Sequence, residues 1–117
     1  MPGNTANMRS LMVHVAAESG PQLRFRLRAK PDGLELSTGA RSTYIGNAAL
    51  EHATVRHALL APCLWVRLKL QVDVHGLGPV STLRIFARPW DRRELQRYAD
   101  EMNGRVYDRD HLGDCRT

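Results

Sequence analysis

Apolar and polar residues alternate along much of this chain, and the alternation predicts a series of β-strands. The clearest runs are Leu23–Lys30 and residues 64–74, in which every second residue is apolar. A period of two places alternate side chains on opposite faces of a strand, whereas a helix would distribute them around its circumference. Leu68 and Leu70 are therefore expected to be deeply buried. The expected inner positions of the second run are Leu64, Val66, Leu68, Leu70, Val72 and Val74.

Turn signals separate these runs from further predicted strands. Pro31, Asp32 and Gly33 form a turn in which proline presets φ and glycine accepts a positive φ. Residues 75–79 contain a second turn, rich in glycine, between two alternating segments. Residues 47–61 are ambiguous because their start has helix propensity, but the surrounding pattern favours a strand over residues 50–56. The other predicted strands cover residues 11–16, 34–36, 41–45 and 80–88.

One amphipathic helix is predicted to follow the strands. Asp91 is typical of an N-cap residue, and Glu94 three positions later completes a capping pair. Asn103 followed by Gly104 indicates the C-terminal end of this helix. The expected buried stripe, at the spacing of one helix face, is Leu95, Tyr98, Ala99 and Met102.

The predicted fold class is α+β and mainly β: an antiparallel β-barrel or bent sheet closed by one C-terminal amphipathic helix. A chain of 117 residues is the usual size of one domain. We expect a flexible N-terminal arm over residues 1–10, a single domain over residues 11–107 and a flexible polar tail over residues 108–117.

This succession of short strands and one capped helix resembles the pleckstrin-homology-like (PH-like) barrel. The resemblance covers residues 11–103, and the last hairpin, which runs into the helix at Asp91, is the part most similar to bacterial members. It implies that the helix closes one open end of a bent sheet. Phosphoinositide-binding members of the family carry basic residues in their first hairpin loop, and in this chain Arg28 and Lys30 lie near the turn at residues 31–33.

The charge balance of the chain favours anionic partners. The formal net charge is +5 at pH 7, almost entirely from arginine, which suits nucleic acid, an acidic protein or a membrane surface. Cys63 and Cys115 are too few for a disulfide framework. The start of the chain has no secretory pattern, and no apolar run approaches the roughly 18 residues of a transmembrane helix. The expected compartment is the cytoplasm.

The strongest expectation for a binding site is a basic face on the strands. Alternate positions of one strand are cationic, about 6.5 to 7 Å apart by strand geometry. The alternative interpretation is a solvated edge strand whose charges prevent aggregation. The anion-binding residues predicted from the sequence are Arg24, Arg26, Arg28, Lys30, Arg67 and Lys69.

No motif in the sequence indicates a catalytic or cofactor site. P-loop, nucleophile-elbow and paired-carboxylate signatures are absent from the sequence, and no spacing matches a closed zinc site. We therefore expect a non-enzymatic binding or regulatory module, without metal or cofactor, that recognises a protein or an anionic headgroup. The alternative is a nucleic-acid-binding protein using the same strands, and homo-oligomerisation is left open.

Overall fold

The computed structural model describes residues 10–58 and 61–115. The arm expected over residues 1–10 therefore lies outside the described residues except for Ser10, as do residues 116 and 117 of the expected tail. The described residues form the strands β1 (Leu11–Ala16), β2 (Leu23–Lys30), β3 (Gly33–Thr38), β4 (Arg41–Gly46), β5 (Leu50–Ala58), β6 (Ala61–Val74) and β7 (Gly78–Phe86), followed by the helix α1 (Arg92–Cys115).

All seven strands belong to one antiparallel sheet with the order β4-β3-β2-β1-β7-β6-β5. Two runs of hairpins, β1 to β4 and β5 to β7, are joined where β1 pairs with β7. The two edge strands, β4 and β5, are connected by only the 3₁₀ turn Asn47–Ala49. Because three residues span about 10 Å at most, the sheet curls until its edges approach one another. The result is a half-barrel closed by one helix, which confirms the predicted fold class.

The ambiguous stretch after residue 47 contains both of the structures that its sequence suggests. Asn47–Ala49 forms the 3₁₀ turn, and β5 begins directly afterwards at Leu50. The strand predicted over residues 50–56 is therefore confirmed. At the neighbouring turn, the expected positive φ at Gly33 is wrong. The requirement for glycine there is steric, because β4 passes close to the start of β3 and a side chain at Gly33 would collide with the backbone carbonyl of Ile45.

The core lies between the inner face of the sheet and one side of α1. Alternate residues of β2 and of the first half of β6 point into it, as the alternation predicts. The helix contributes the expected stripe, and all four of its residues are buried. The largest fully buried side chains include Tyr98, Phe25, Leu27, Leu34, Leu36, Leu64 and Ile85.

The prediction that Leu70 is buried is wrong. Leu68 is 4% exposed, whereas Leu70 is 66% exposed. The pairing of β6 with β7 shifts at this point: Arg67 pairs with Thr82 and the next pair is Val72 with Val80, so residues 68–71 lie opposite a single residue of β7. Extra residues on one strand disrupt the ladder and bend it. Leu70 is displaced from the inner face, and alternation resumes at Val72.

The helix begins where the sequence predicts and ends much later. Asp91 precedes its first residue and is 4% exposed, and its carboxylate accepts a hydrogen bond from Arg88 Nε at 3.2 Å. The predicted end at Asn103 and Gly104 is wrong, because α1 continues to Cys115. Most of the segment expected as a tail, residues 108–117, is thus helical.

Hydrogen bonds to the edge strand β5 explain why the helix continues. The Asn103 side chain donates to the Ala53 carbonyl at 2.7 Å and accepts from the Ala53 N–H at 2.9 Å. Six residues later, Arg109 Nη1 donates to the carbonyls of Asn47, in the 3₁₀ turn, and Leu50, at the start of β5, at 2.7 and 2.9 Å. These contacts fix α1 along β5 and satisfy backbone groups that an uncovered edge would expose.

Among the residues that the structure describes, no helix has the length and apolar character needed to cross a membrane.

Candidate anion-binding face

The outer face of the sheet carries the basic residues that the sequence singles out on β2. Arg24, Arg26 and Arg28 are exposed there, and Phe25 and Leu27 between them are buried. Strand β2 lies inside the sheet, with β1 on one side and β3 on the other. Its outward arginines therefore project from the middle of a paired surface and not from an edge.

The last two cations of β2 have an acidic neighbour. Arg28 Nη1 and Lys30 Nζ each lie 3.8 Å from Glu35 Oε1, because Glu35 pairs with Arg28 across the β2–β3 hairpin. Glu35 offsets part of the positive charge at this end of the row. Arg24 and Arg26 form no ion pair within the described part of the chain, so the available charge of β2 is concentrated at its first half.

Arg67 and Lys69 share the outer face but do not join the β2 row. Both are exposed on β6, as predicted, and strands β1 and β7 separate β6 from β2. Three interstrand steps correspond to about 14 Å. Arg67 also pairs with Thr82, beyond the stretch of β7 that pairs with β1. The six predicted residues thus form two separate groups, at opposite sides of the same face.

Residues that were not predicted from the sequence connect the two groups. A row of backbone-paired residues crosses the outer face from β2 to β5 over four interstrand steps, about 19 Å. Its members are Arg24, His14, Phe86, Cys63 and Arg56. The next row brings Arg84 of β7 opposite Trp65 of β6. The sequence contains a signal that Arg84 and Phe86 point outward, because they alternate with the apolar residues Leu83 and Ile85.

Arginines are stacked over aromatic rings at three places on or beside this face. The Arg56 guanidinium carbon lies 4.3 Å from the Trp65 ring centroid. The corresponding distance from Arg84 to Phe86 is 5.6 Å, and that from Arg88 to Trp90 is 5.1 Å. Each is within the roughly 6 Å range of a cation–π interaction. Stacking holds the guanidinium groups in fixed orientations. Part of their donor capacity is already used, because Arg84 Nε donates to the Ala17 carbonyl at 2.8 Å and Arg88 Nε donates to the Asp91 carboxylate at 3.2 Å.

Two shallow depressions on the outer face are lined by these side chains. One, of about 450 Å³, lies between β5, β6 and β7 and includes Arg56, Trp65 and Arg67 in its walls. The other, of about 350 Å³, joins the β2 row to the end of β7 and includes Arg24 and Arg88. The basic surface therefore extends from Arg24 to Arg88. Trp90, which is 72% exposed, lies at its border in the 3₁₀ turn Pro89–Asp91, where it shares another depression with Arg92 and Arg93.

Cys63 lies beneath the outer face and is not set up as a nucleophile. Its thiol is almost completely buried, and this burial raises its pKa to about 11, although the positive charges of Arg84 and Arg56 act in the opposite direction. Thiol reactivity requires the thiolate, so at neutral pH Cys63 remains protonated. Elsewhere in the described residues, no three His, Cys, Asp or Glu side chains are grouped so that they could hold a metal ion.

The chain matches no protein-family model and no curated protein sequence.

Proposed function

We propose that this protein is a non-enzymatic binding module that recognises an anionic, phosphate-bearing partner through the outer face of its sheet. We further propose a PH-like fold, since a curled antiparallel sheet closed by a C-terminal helix is compatible with that class, and a cytoplasmic location. The observation that carries the function is the placement of Arg24 and Arg26: both are exposed, and neither has an ion-pair partner in the described residues.

The position of β2 in the sheet argues against the simplest structural explanation of its charges. Cationic side chains protect exposed strand edges from pairing with other chains. Strand β2 has both edges paired, however, and the edges of the sheet are β4 and β5. Edge protection therefore gives no reason for the outward arginines of β2, whereas an anionic ligand does.

The charged surface also suits a ligand that is larger than a single phosphate. From Arg24 to Arg56 the row of paired residues covers about 19 Å, and Arg84 and Arg67 lie in the rows beyond it. A polyanion with several phosphates can contact these groups at once. Each contact releases a condensed counterion, so the affinity for a polyanion falls steeply as salt is added.

The test is a double substitution with a charge-matched control. Arg24→Gln with Arg26→Gln removes two unpaired outward charges, whereas Arg97→Gln with Arg105→Gln removes two charges of α1 that are paired with Glu94 and Glu101. We expect both variants to fold. The β2 variant should bind heparin more weakly than the wild type. Its plot of log Kd against log salt concentration should have a slope lower by about two, one for each anion contact removed. The helix variant should retain wild-type binding.

Three polyanionic probes should be compared at low and at physiological salt: heparin, vesicles containing phosphatidylglycerol, and single-stranded oligonucleotides. Equal loss of binding in the two double variants would mean that net charge alone is responsible and that the outer face is not a site. The proposal is also wrong if the wild type binds none of the three probes at low salt. A protein partner would then be the better hypothesis.

A further inference from the structure

The outer line of β7 continues past the end of the strand as alternating cations and rings. Arg84, Phe86, Arg88 and Trp90 follow one another at intervals of two positions. The first two lie on β7, and Trp90 lies in the 3₁₀ turn Pro89–Asp91. Trp65 lies across from Arg84 on β6. Stacked arginine–aromatic pairs occur about once per 70 to 80 residues in proteins, and three of them meet along this line.

We propose that the anionic ligand is single-stranded nucleic acid, whose bases stack on the aromatic–arginine line of Trp65, Arg84, Phe86, Arg88 and Trp90. The proposal rests on the function proposed above, since the phosphates would be held by the basic outer face, but it adds that the bases themselves are contacted. Rings and guanidinium planes both present flat surfaces on which any base can stack.

The spacing of the line favours an unpaired strand. Arg84 and Phe86, the two members of the line on β7, are about 6.8 Å apart by strand geometry, which is twice the roughly 3.4 Å step between stacked bases in one strand of a duplex. A strand bound here must have its bases separated, so that protein side chains lie between or against them. Bases within a duplex have no free faces for such contacts, and duplex DNA is expected to bind only through its phosphates.

Cations lie on both sides of the line, as a backbone-tracking groove requires. Arg24 lies on one side and shares a depression with Phe86 and Arg88. Arg56 and Arg67 lie on the other side, with Trp65 in the same depression. The Thr82 hydroxyl lines this second depression and adds a donor for phosphate or sugar oxygens, whereas the Thr54 hydroxyl is hydrogen-bonded to His52. Glu51 lines the same depression and offsets part of its positive charge.

An anionic lipid surface fits the same residues less well. Trp90 is sufficiently exposed to enter a membrane interface, and Arg88 beside it could meet lipid phosphates. Trp65 and Phe86, however, are only partly exposed on the paired part of the sheet. A base can stack on the guanidinium groups of Arg56 and Arg84 that cover these rings, but the rings cannot be inserted into a bilayer without unfolding the strands. Lipid binding is therefore one of the outcomes that the experiment must separate.

The experiment compares two strands that differ only in having bases. Binding of the full chain to a fluorescent oligothymidylate of about twelve nucleotides is measured by anisotropy, together with binding to an abasic strand with the same phosphates. We expect the oligothymidylate to bind at least about tenfold more tightly. Trp90→Ala should weaken oligothymidylate binding about tenfold and leave abasic binding unchanged, and Trp90→Phe should restore most of it. Tyr107→Ala removes another exposed ring, on α1, and serves as the control.

Tryptophan fluorescence gives an independent measurement. In the Trp65→Phe variant, Trp90 is the only tryptophan of the chain, and its emission should be quenched by oligothymidylate and not by the abasic strand. Equal affinity for the two strands, both weakened by Arg24→Gln with Arg26→Gln, would overturn the stacking proposal while the polyanion function stands. A blue shift of Trp90 on phosphatidylglycerol vesicles without any preference for bases would assign the face to lipid instead. Failure of every polyanion to bind would refute both proposals.

Discussion

The two faces of the sheet follow the same alternating pattern but are organised by different forces. On the inner face, Phe25 and Leu27 of β2 are buried against other apolar side chains, and burial of each such side chain contributes about 1.5 to 3 kcal/mol. On the outer face, Arg24 and Arg26 of the same strand are exposed, where charges contribute little to folding. The inner face therefore determines stability, and the outer face is available for function.

The boundary between the faces is clearest within β6. Leu68 and Leu70 have the same side chain and are two positions apart, yet one is in the core and the other in solvent. The shift in pairing between β6 and β7 separates them. Strand register therefore decides whether an apolar side chain lies in the core. Alternation in the sequence predicts the face of the sheet only where the register is regular.

The largest effect on stability is expected at Leu68, the buried member of the pair Leu68 and Leu70. Leu68→Ala removes a buried side chain and leaves a cavity, so it should lower the free energy of unfolding by about 2 to 5 kcal/mol. Chemical denaturation followed by circular dichroism measures the change. An unaltered denaturation midpoint would mean that Leu68 is not part of the core and that the two faces of β6 are assigned in the wrong sense.

An intermediate effect is expected at the edge where the two faces meet. Asn103→Ala leaves the N–H and carbonyl of Ala53 without their partner, and loss of such bonds costs about 1 to 3 kcal/mol. Amide hydrogen exchange at Ala53 should accelerate. Asn103→Asp keeps the acceptor and loses the donor, so it tests the two bonds separately. If exchange at Ala53 is unchanged in both variants, Asn103 does not cover the β5 edge.

The smallest effect on stability is expected at Leu70, the exposed member of the pair Leu68 and Leu70. Leu70→Ser replaces an exposed side chain and should change the free energy of unfolding by no more than about 0.5 kcal/mol. Together with Leu68→Ala it forms a matched comparison within one strand. A loss as large as that of Leu68→Ala would show that Leu70 is buried in solution and that the shift in pairing is absent.

Only part of the basic face could be predicted from the sequence. The alternation of β2 predicts that its arginines point outward, because period two requires it. It does not indicate that β2 is an inner strand, nor that Arg67 lies three strands away. Arg56 and Trp65 meet only because β5 pairs with β6, and Phe86 joins Arg24 only through β1. Those neighbours depend on the pairing of distant segments, which no local pattern contains.

The sequence by itself determined the strands, the start of the helix and the stripe by which the helix is buried, because each depends on residues that are close together in the chain. The tertiary structure decided the rest. Asn103 and Gly104 end many helices, but here the Asn103 amide bonds to Ala53, and Arg109 reaches the carbonyls at the start of β5. Contacts with a strand some fifty residues away therefore outweigh the local stop signal, and pairing between β6 and β7 likewise decides where Leu70 lies.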